Sequence, residues 1–419
     1  MISDTGDGLG VAQRLVTEGH QVAVWIKSRE YDQSGLGIVL RPQSWREKLA
    51  WSDFVICDMV GFGHLEEVFR RMGKPYIACS SFMDQMELDR AKGMQIFQKV
   101  GIKTPETFSF SNVEEARKTI SEMEFGLGWV LKPDGNIGTS KTLVIKDESE
   151  LDWAFGTNKA GTSMIVQRIV DGVEVSTEGW FNGRDFLRPF NHTFEEKRFM
   201  EGNLGPNTGC MGNVIIARDS NKLTRATVER LKPFLLKIGY RGPVDVNCIV
   251  NADGAFALEA TARFGYDAIE GLIEGLKESP LDLFFETAMG TKKEMDITED
   301  SMIAVRLTVP PYPAEDVEQI DWGDPITGIN VDNIKHLFLC NVYADHEDNK
   351  FKVAKADGVV LKATAHGGKK GTDYTSFARD RVYRTLGNIK CSNNQYRLDI
   401  GKRVNGDMAK LIGWGWVQA

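Results

Sequence analysis

The chain has 419 residues, enough for two to four domains with ample core, and its 42% hydrophobic and 26% charged residues match an ordinary globular protein. A formal net charge of −8 with no long basic run argues against a surface built for nucleic acid or anionic membrane, which leaves small molecules as the default partners. No apolar run spans a bilayer, no signal-peptide pattern opens the chain, and the six scattered cysteines form no CxxC or Cys/His cluster, so the expected setting is a reducing cytoplasm.

Residues 4–26, DTGDGLGVAQRLVTEGHQVAVWI, read as a Gly-rich turn, a helix and a strand, the opening of an α/β layer whose first strand is reduced to Met1 and Ile2. Gly6, Gly8 and Gly10 resemble a dinucleotide fingerprint, but Lys27 and Ser28 stand where its acidic residue belongs. A phosphate at the helix N-terminus is the other reading. Residues 53–58 and 75–78 read as further strands around a helix over 64–72, and 89–100 as a helix stopped by Gly101. The first domain is expected over 1–86, a second over 87–300 and a third over 301–419. Ser111-Asn112-Val113-Glu114 has the pattern of a capping box for the next helix.

Residues 129–145, WVLKPDGNIGTSKTLVI, read as strand, Gly-bearing loop and strand. Lys132 closes the first strand, where it can meet phosphate oxygens while loop N–H groups close over them; a plain β-hairpin with a loose turn is the alternative. Residues 163–170 form a strand ending in Gln167-Arg168-Ile169-Val170. In 195–212, EEKRFMEGNLGPNTGCMG, four glycines and Pro206 forbid any regular element, leaving either a surface loop or one that holds a ligand against backbone amides. Residues 219–238 read as one long amphipathic helix.

Residues 244–265, VDVNCIVNADGAFALEATARFG, alternate with period two on both sides of a polar turn and read as a hairpin. Pairing centred on Asp253 lets Val246, Cys248 and Val250 meet Phe256, Leu258 and Ala260. It sets Asn247 opposite Glu259 and Asp245 opposite Thr261, with Arg263 next along. That polar face is either solvated or holds a cation and an anion, and carboxylate oxygens suit Mg²⁺ with phosphate. Beyond it, 272–289 reads as a helix, Pro310 to Pro313 and Trp322 to Pro325 as linker-like, and 336–399 as short strands with one helix over 373–386, a small α+β domain.

The order of these parts resembles the ATP-grasp ligases. More narrowly, Gly205 to Gly212, GPNTGCMG, with Lys197-Arg198 before it, is similar to the GPNTGGMG signature of the phosphoribosylamine–glycine ligase (glycinamide ribonucleotide synthetase) family. Glu259 to Gly265 resembles that family's EFNxRFG, Tyr396 to Arg403 its YRxDIGxR, and Gly358 to Gly367 its GRVLxVTxxG strand. The resemblance covers the chain in order and implies an ATP-grasp fold of mixed α/β and α+β character. It implies an N-terminal α/β domain, a flap subdomain over about 106–175 and a small C-terminal α+β domain.

The resemblance also implies roles. Arg90 and Lys132 would bind ATP phosphates under a flap of Asp134 to Ser140, including Gly135 and Gly138. Gln167, Arg168 and Val170 would form the hinge at adenine, and Glu174 would meet the ribose. Glu259, Asp245 and Thr261 would hold Mg²⁺ (or Mn²⁺), and Arg263 with Lys132 would stabilise the transferred phosphoryl group. Lys197, Arg198, Gly205, Pro206, Asn207, Thr208, Gly209, Met211, Asp399 and Arg403 would bind substrate. The implied activity is ATP-dependent joining of glycine to phosphoribosylamine through an acyl phosphate, by a monomer or weak homodimer. Departures keep two further readings open: Thr261 replaces the family's metal-binding Asn, Tyr266-Asp267 its Asp-Pro-Glu, and the N-terminal turn lacks its Arg and His. One reading is a ligase for a different acid and amine, the other a non-catalytic nucleotide-binding protein.

Overall fold

The computed structural model describes residues 1–133, 142–157, 163–265, 267–314 and 322–418. Its centre is an eight-stranded antiparallel sheet. In spatial order the strands are Ala255–Thr261, Gly242–Val250, Val173–Phe181, Phe190–Glu195, Gly212–Arg218, Ser301–Thr308, Val359–Gly367 and Leu337–Leu339. Three of these strands follow residue 300, so the boundary expected there falls inside one continuous sheet. Ser301–Thr308 pairs on both edges, with Gly212–Arg218 and Val359–Gly367, and is buried along its whole length because Met302 packs in one core and Ile303 and Val305 in the other.

The half of this sheet carrying Val173–Phe181 and the terminal hairpin is two-faced. Val173, Val175, Val244, Val246, Cys248, Val250, Ala255, Ala257 and Ala260 pack into the main core. The other face is polar, and a four-stranded antiparallel sheet adjoins it: Thr107–Phe110, Met164–Arg168, Trp129–Pro133 and Leu143–Ile145. That smaller sheet has its own core, Phe110, Trp129, Leu131 and Phe155, against helices Val113–Ser121 and Leu151–Gly156. The N-terminal layer is parallel, pairing Ile2–Ser3 with Trp25–Ile26 and Val55–Ile56 with Tyr76–Ile77, while Ile2 bridges Cys57.

Several elements differ from the sequence reading. The helix over 219–238 is three pieces, Lys222–Ala226, Val228–Leu231 and Lys232–Ile238. Thr227 leaves helical geometry, and Pro233, without an N–H to continue a helix, opens the third piece. The helix over 272–289 is likewise two, Ala268–Gly275 and Pro280–Met289, the second capped by Ser279. The cap before Val113–Ser121 is Asn112, whose side chain accepts from Glu115 N–H at 2.8 Å, one residue later than expected. Within 195–212, Arg198–Met200 and Leu204–Asn207 form a short hairpin, because the left-handed Gly202 and Asn203 turn the chain instead of interrupting it. A second C-terminal helix, Val404–Gly413, follows Ser376–Asn388.

Candidate active site

The terminal hairpin pairs Asp245 with Thr261 and Asn247 with Glu259, as its alternation requires. Nearer the turn the register shifts by one, and Cys248 faces Ala257 while Val250 faces Ala255. Leu258 is the extra residue. The turn register, extended unbroken, would set Glu259 against Val246 on the apolar face; the bulge restores it to the polar one. In consequence Phe256 and Leu258, expected in the core, are half-buried, and Ala255 and Ala257 take their place. Asn251 holds the turn, its Oδ1 accepting from Asp253 N–H at 2.9 Å and Gly254 N–H at 3.2 Å.

Neighbouring strands extend the polar face. Asp245 lies beside Glu178 and Asn247 beside Ser176, with Thr193 and Asn191 next across the sheet. Burial pushes Glu178 up to about 7 despite a hydrogen bond from Trp180 Nε1 at 3.2 Å. Asp245 is raised well above its ordinary value by burial and by Glu178 and Glu195. Glu259 behaves oppositely. Burial would raise it, but Lys197, Lys132, Arg90 and Arg263 outweigh that and hold its carboxyl at about 2. The corner therefore sets a carboxyl whose charge neighbouring cations favour beside two whose charge burial disfavours.

Lys132 closes strand Trp129–Pro133 and is only 7% exposed. Its Nζ lies 3.4 Å from the Leu258 carbonyl, and burial lowers its pKa to about 8 against the pull of Glu259. Arg90, first residue of helix Arg90–Lys99, donates to the Pro133 carbonyl. Arg263 is placed at the same corner, yet its guanidinium also binds Glu87 Oε1 through Nη2 at 2.9 Å and the Phe264 carbonyl at 2.8 Å. Asp134, Gly135, Gly138 and Ser140 lie outside the described residues.

The hinge residues separate. Gln167 is buried, donating to Thr107 Oγ1 at 3.0 Å, with its Oε1 unpartnered. Arg168 points away from the cleft: its guanidinium stacks 3.7 Å from the Trp129 ring centroid and donates to the Phe125 carbonyl at 3.0 Å, so its side chain is structural. Glu174 accepts Lys197 Nζ at 3.0 Å, an ion pair the sequence reading did not foresee. Val170, two residues beyond strand Met164–Arg168, is half-buried.

In the 195–212 segment, Arg198 Nη1 donates to the Gly205 carbonyl at 2.8 Å, and Thr208 donates to the Lys197 carbonyl through both N–H and Oγ1, each at 2.8 Å. Pro206, Asn207 and Gly209 are exposed, whereas Met211 is buried. Behind them Arg397, 2% exposed, grips Asp399 with two bonds of 2.7 Å and donates to the Arg198 carbonyl at 2.8 Å. Asp399 accepts Gly202 N–H at 2.9 Å, and Arg403 binds Glu196 at 2.9 Å and the Glu195 carbonyl at 2.7 Å. Asp399 and Arg403 thus clasp the loop from behind. Glu87, Glu195, Glu196 and Arg397 were missed by the sequence reading, although alternation along Phe190–Glu195 already puts Asn191, Thr193 and Glu195 on one face.

The N-terminal Gly turn is already filled. Asp58 Oδ2 accepts Gly8 N–H at 2.7 Å and Ser3 Oγ accepts Gly6 N–H at 2.7 Å, so a carboxylate of the chain stands where a phosphate could have bound. Burial, reinforced by Asp7, lifts Asp58 to about 7. A separate cavity of about 590 Å³, lined by Trp25, Trp45, Trp51, Phe54 and Phe285 among others, lies in this layer away from the cleft.

For a divalent ion the donor set is all oxygen. Asn247 Oδ1 is buried without a partner opposite Glu259, and Asp245 and Thr261 adjoin it. Among the described residues no three His, Cys, Asp or Glu side chains form a metal cage. The set fits Mg²⁺ or Mn²⁺, which take one or two carboxylates and complete their shell with phosphate and water.

Residues 91–268 match the family model described as the phosphoribosylglycinamide synthetase ATP-grasp (A) domain. A crystal structure of phosphoribosylamine–glycine ligase from Thermotoga maritima superposes with a TM-score of 0.74 at 20% identity, covering 96% of this chain and 99% of that one, which establishes the fold. The protein has the ATP-grasp fold. Phosphoribosylamine–glycine ligases of Streptomyces coelicolor, 26% identical over 81% of each chain, and Mycobacterium leprae, 27% identical over 76% of this chain and 75% of the relative, share most of its length. In sequence the chain is thus similar to the phosphoribosylamine–glycine ligases along most of its length.

Proposed function

We propose that this chain is an ATP-dependent carboxylate–amine ligase that joins glycine to phosphoribosylamine, giving glycinamide ribonucleotide for purine biosynthesis, with ATP and Mg²⁺ (or Mn²⁺) as cofactors. The observation that carries this reading is the placement of Glu259 3.7 Å from Lys197 Nζ, on the strand whose Leu258 carbonyl lies 3.4 Å from Lys132 Nζ, with Arg263 two residues beyond that strand. Bound Mg·ATP would supply the γ-phosphoryl group that converts the acid's carboxylate into an acyl phosphate open to attack by the amine. Lys132 and Arg90 would hold phosphate oxygens, and Glu259, Asp245 and Thr261 the metal, with Asn247 a further oxygen. Arg263 would turn its fork from Glu87 toward the developing charge. The exposed residues Gly205, Pro206, Asn207 and Gly209 would line the place for the acid, their loop kept in place by Asp399 and Arg403 behind it. A monomer or weak homodimer in a reducing cytoplasm accompanies this reading.

A second reading, a ligase for an unphosphorylated amine, is favoured by Asp58, which occupies the helix N-terminus nearest the Gly-rich turn. ADP release measured over amino acids crossed with phosphoribosylamine and simple amines tests both. Glycine with phosphoribosylamine should give the fastest release. A different amine giving the fastest release moves the assignment to the second reading, and no ADP release with any pair removes the ligase reading.

A further inference from the structure

We propose that Lys197 is the resident counter-ion of the metal-binding carboxylates, and that an arriving divalent cation displaces its ammonium toward the 205–212 loop. The inference rests on the assignment of Glu259 to the metal. Lys197 Nζ lies 3.0 Å from Glu174, 3.3 Å from Glu195 and 3.7 Å from Glu259, carboxylates carried by three different strands. Burial disfavours its charge, but the three carboxylates prevail and keep it protonated. The ammonium thus does, without metal, the neutralising work that a divalent ion would do at Glu259.

Two observations separate this arrangement from a permanent structural ion pair. Asn247 Oδ1, in a side chain 4% exposed and directly opposite Glu259, has no donor, so Lys197 leaves one oxygen of this face unsatisfied that a metal's coordination sphere would engage. Glu259 itself is 46% exposed and Lys197 29%, which leaves the pair room to part. A divalent ion bound to Glu259 would repel an ammonium in contact with the same carboxylate. The backbone decides where the ammonium goes: the Lys197 carbonyl accepts both Thr208 N–H and Thr208 Oγ1. The side chain therefore pivots on the loop that would receive the acid, and a mobile point charge on a four-carbon stem suits this exchange better than a fixed guanidinium fork. Metal binding would then place a cation beside the incoming carboxylate, favouring metal and nucleotide before acid. Lys197 is a positioning residue for both.

The test uses Mn²⁺ alone with the nucleotide-free protein, its affinity read by electron paramagnetic resonance. Lys197→Met should bind Mn²⁺ at least tenfold more tightly than wild type; equal or weaker affinity in a folded variant overturns the proposal. In wild type, Mn²⁺ should raise labelling of Lys197 by trinitrobenzenesulfonate severalfold, mapped by peptide mass. That measurement decides the matter if the variant does not fold, and unchanged or reduced labelling refutes the displacement. Wild type that binds no Mn²⁺ even with a non-hydrolysable ATP analogue removes the metal assignment and this inference with it. Mn²⁺ binding to wild type without tightening in Lys197→Met removes this inference only.

Discussion

Lys132 is expected to lower stability in exchange for nucleotide binding, and Lys132→Met separates the two effects. The side chain is 7% exposed and its pKa falls from 10.5 to about 8, burial being the dominant cause. That gap corresponds to ~3 kcal/mol by which the native environment disfavours the ammonium. The cost is fully present below about pH 8. Between about 8 and 10.5 the native state has released the proton while the unfolded chain retains it, so wild-type stability rises with pH across this window. Lys132→Met should therefore be the more stable protein at pH 7, by up to ~3 kcal/mol, and its advantage should shrink toward pH 10. It should also lose ~1.5–3 kcal/mol of ATP binding, the worth of a charge-assisted hydrogen bond. Urea unfolding at pH 7 and 9.5, with calorimetric titration of ATP, measures both. A less stable variant would refute the burial argument, and unchanged ATP affinity would take Lys132 out of the site.

Glu259→Gln should abolish nearly all ADP release, whereas Thr261→Asn should lower the Mg²⁺ needed for half-maximal rate, since an amide oxygen reaches further and is the better hard ligand; near-normal turnover in the first, or an unchanged Mg²⁺ curve in the second, removes the residue from the metal. Gly212→Ala should cost at least ~1–3 kcal/mol, because φ is +152° and the added Cβ would stand 2.6 Å from the Ala304 carbonyl; an unshifted urea midpoint contradicts this. Arg397→Met, which removes the two bonds to Asp399 while Glu196 keeps Arg403, should destabilise by ~1–3 kcal/mol, visible as a lowered melting temperature by calorimetry.

What the sequence could determine by itself was local and periodic. Strict alternation in 244–265 is enough to set Asp245 opposite Thr261 and Asn247 opposite Glu259, since a slip of one residue would bury the whole polar face. The short spacing of GPNTGCMG, EATARFG and YRLDIGKR likewise carried the resemblance to the phosphoribosylamine–glycine ligases. Tertiary structure decided the rest. The bulge at Leu258 arises where a tight turn register must be reconciled with a buried apolar face, and no spacing in one strand encodes it. Residues 301–308 look like the start of a new domain, yet they join the central sheet because two distant strands supply their hydrogen bonds. Glu174 and Lys197, read as contacts for different ligands, meet each other, and Arg263 meets Glu87 from a helix 176 residues earlier. Charge pairing acts through space at a few ångströms, so which cation answers which carboxylate is set by how the strands stack, while the one-dimensional pattern shows only that charges of both signs face the same way.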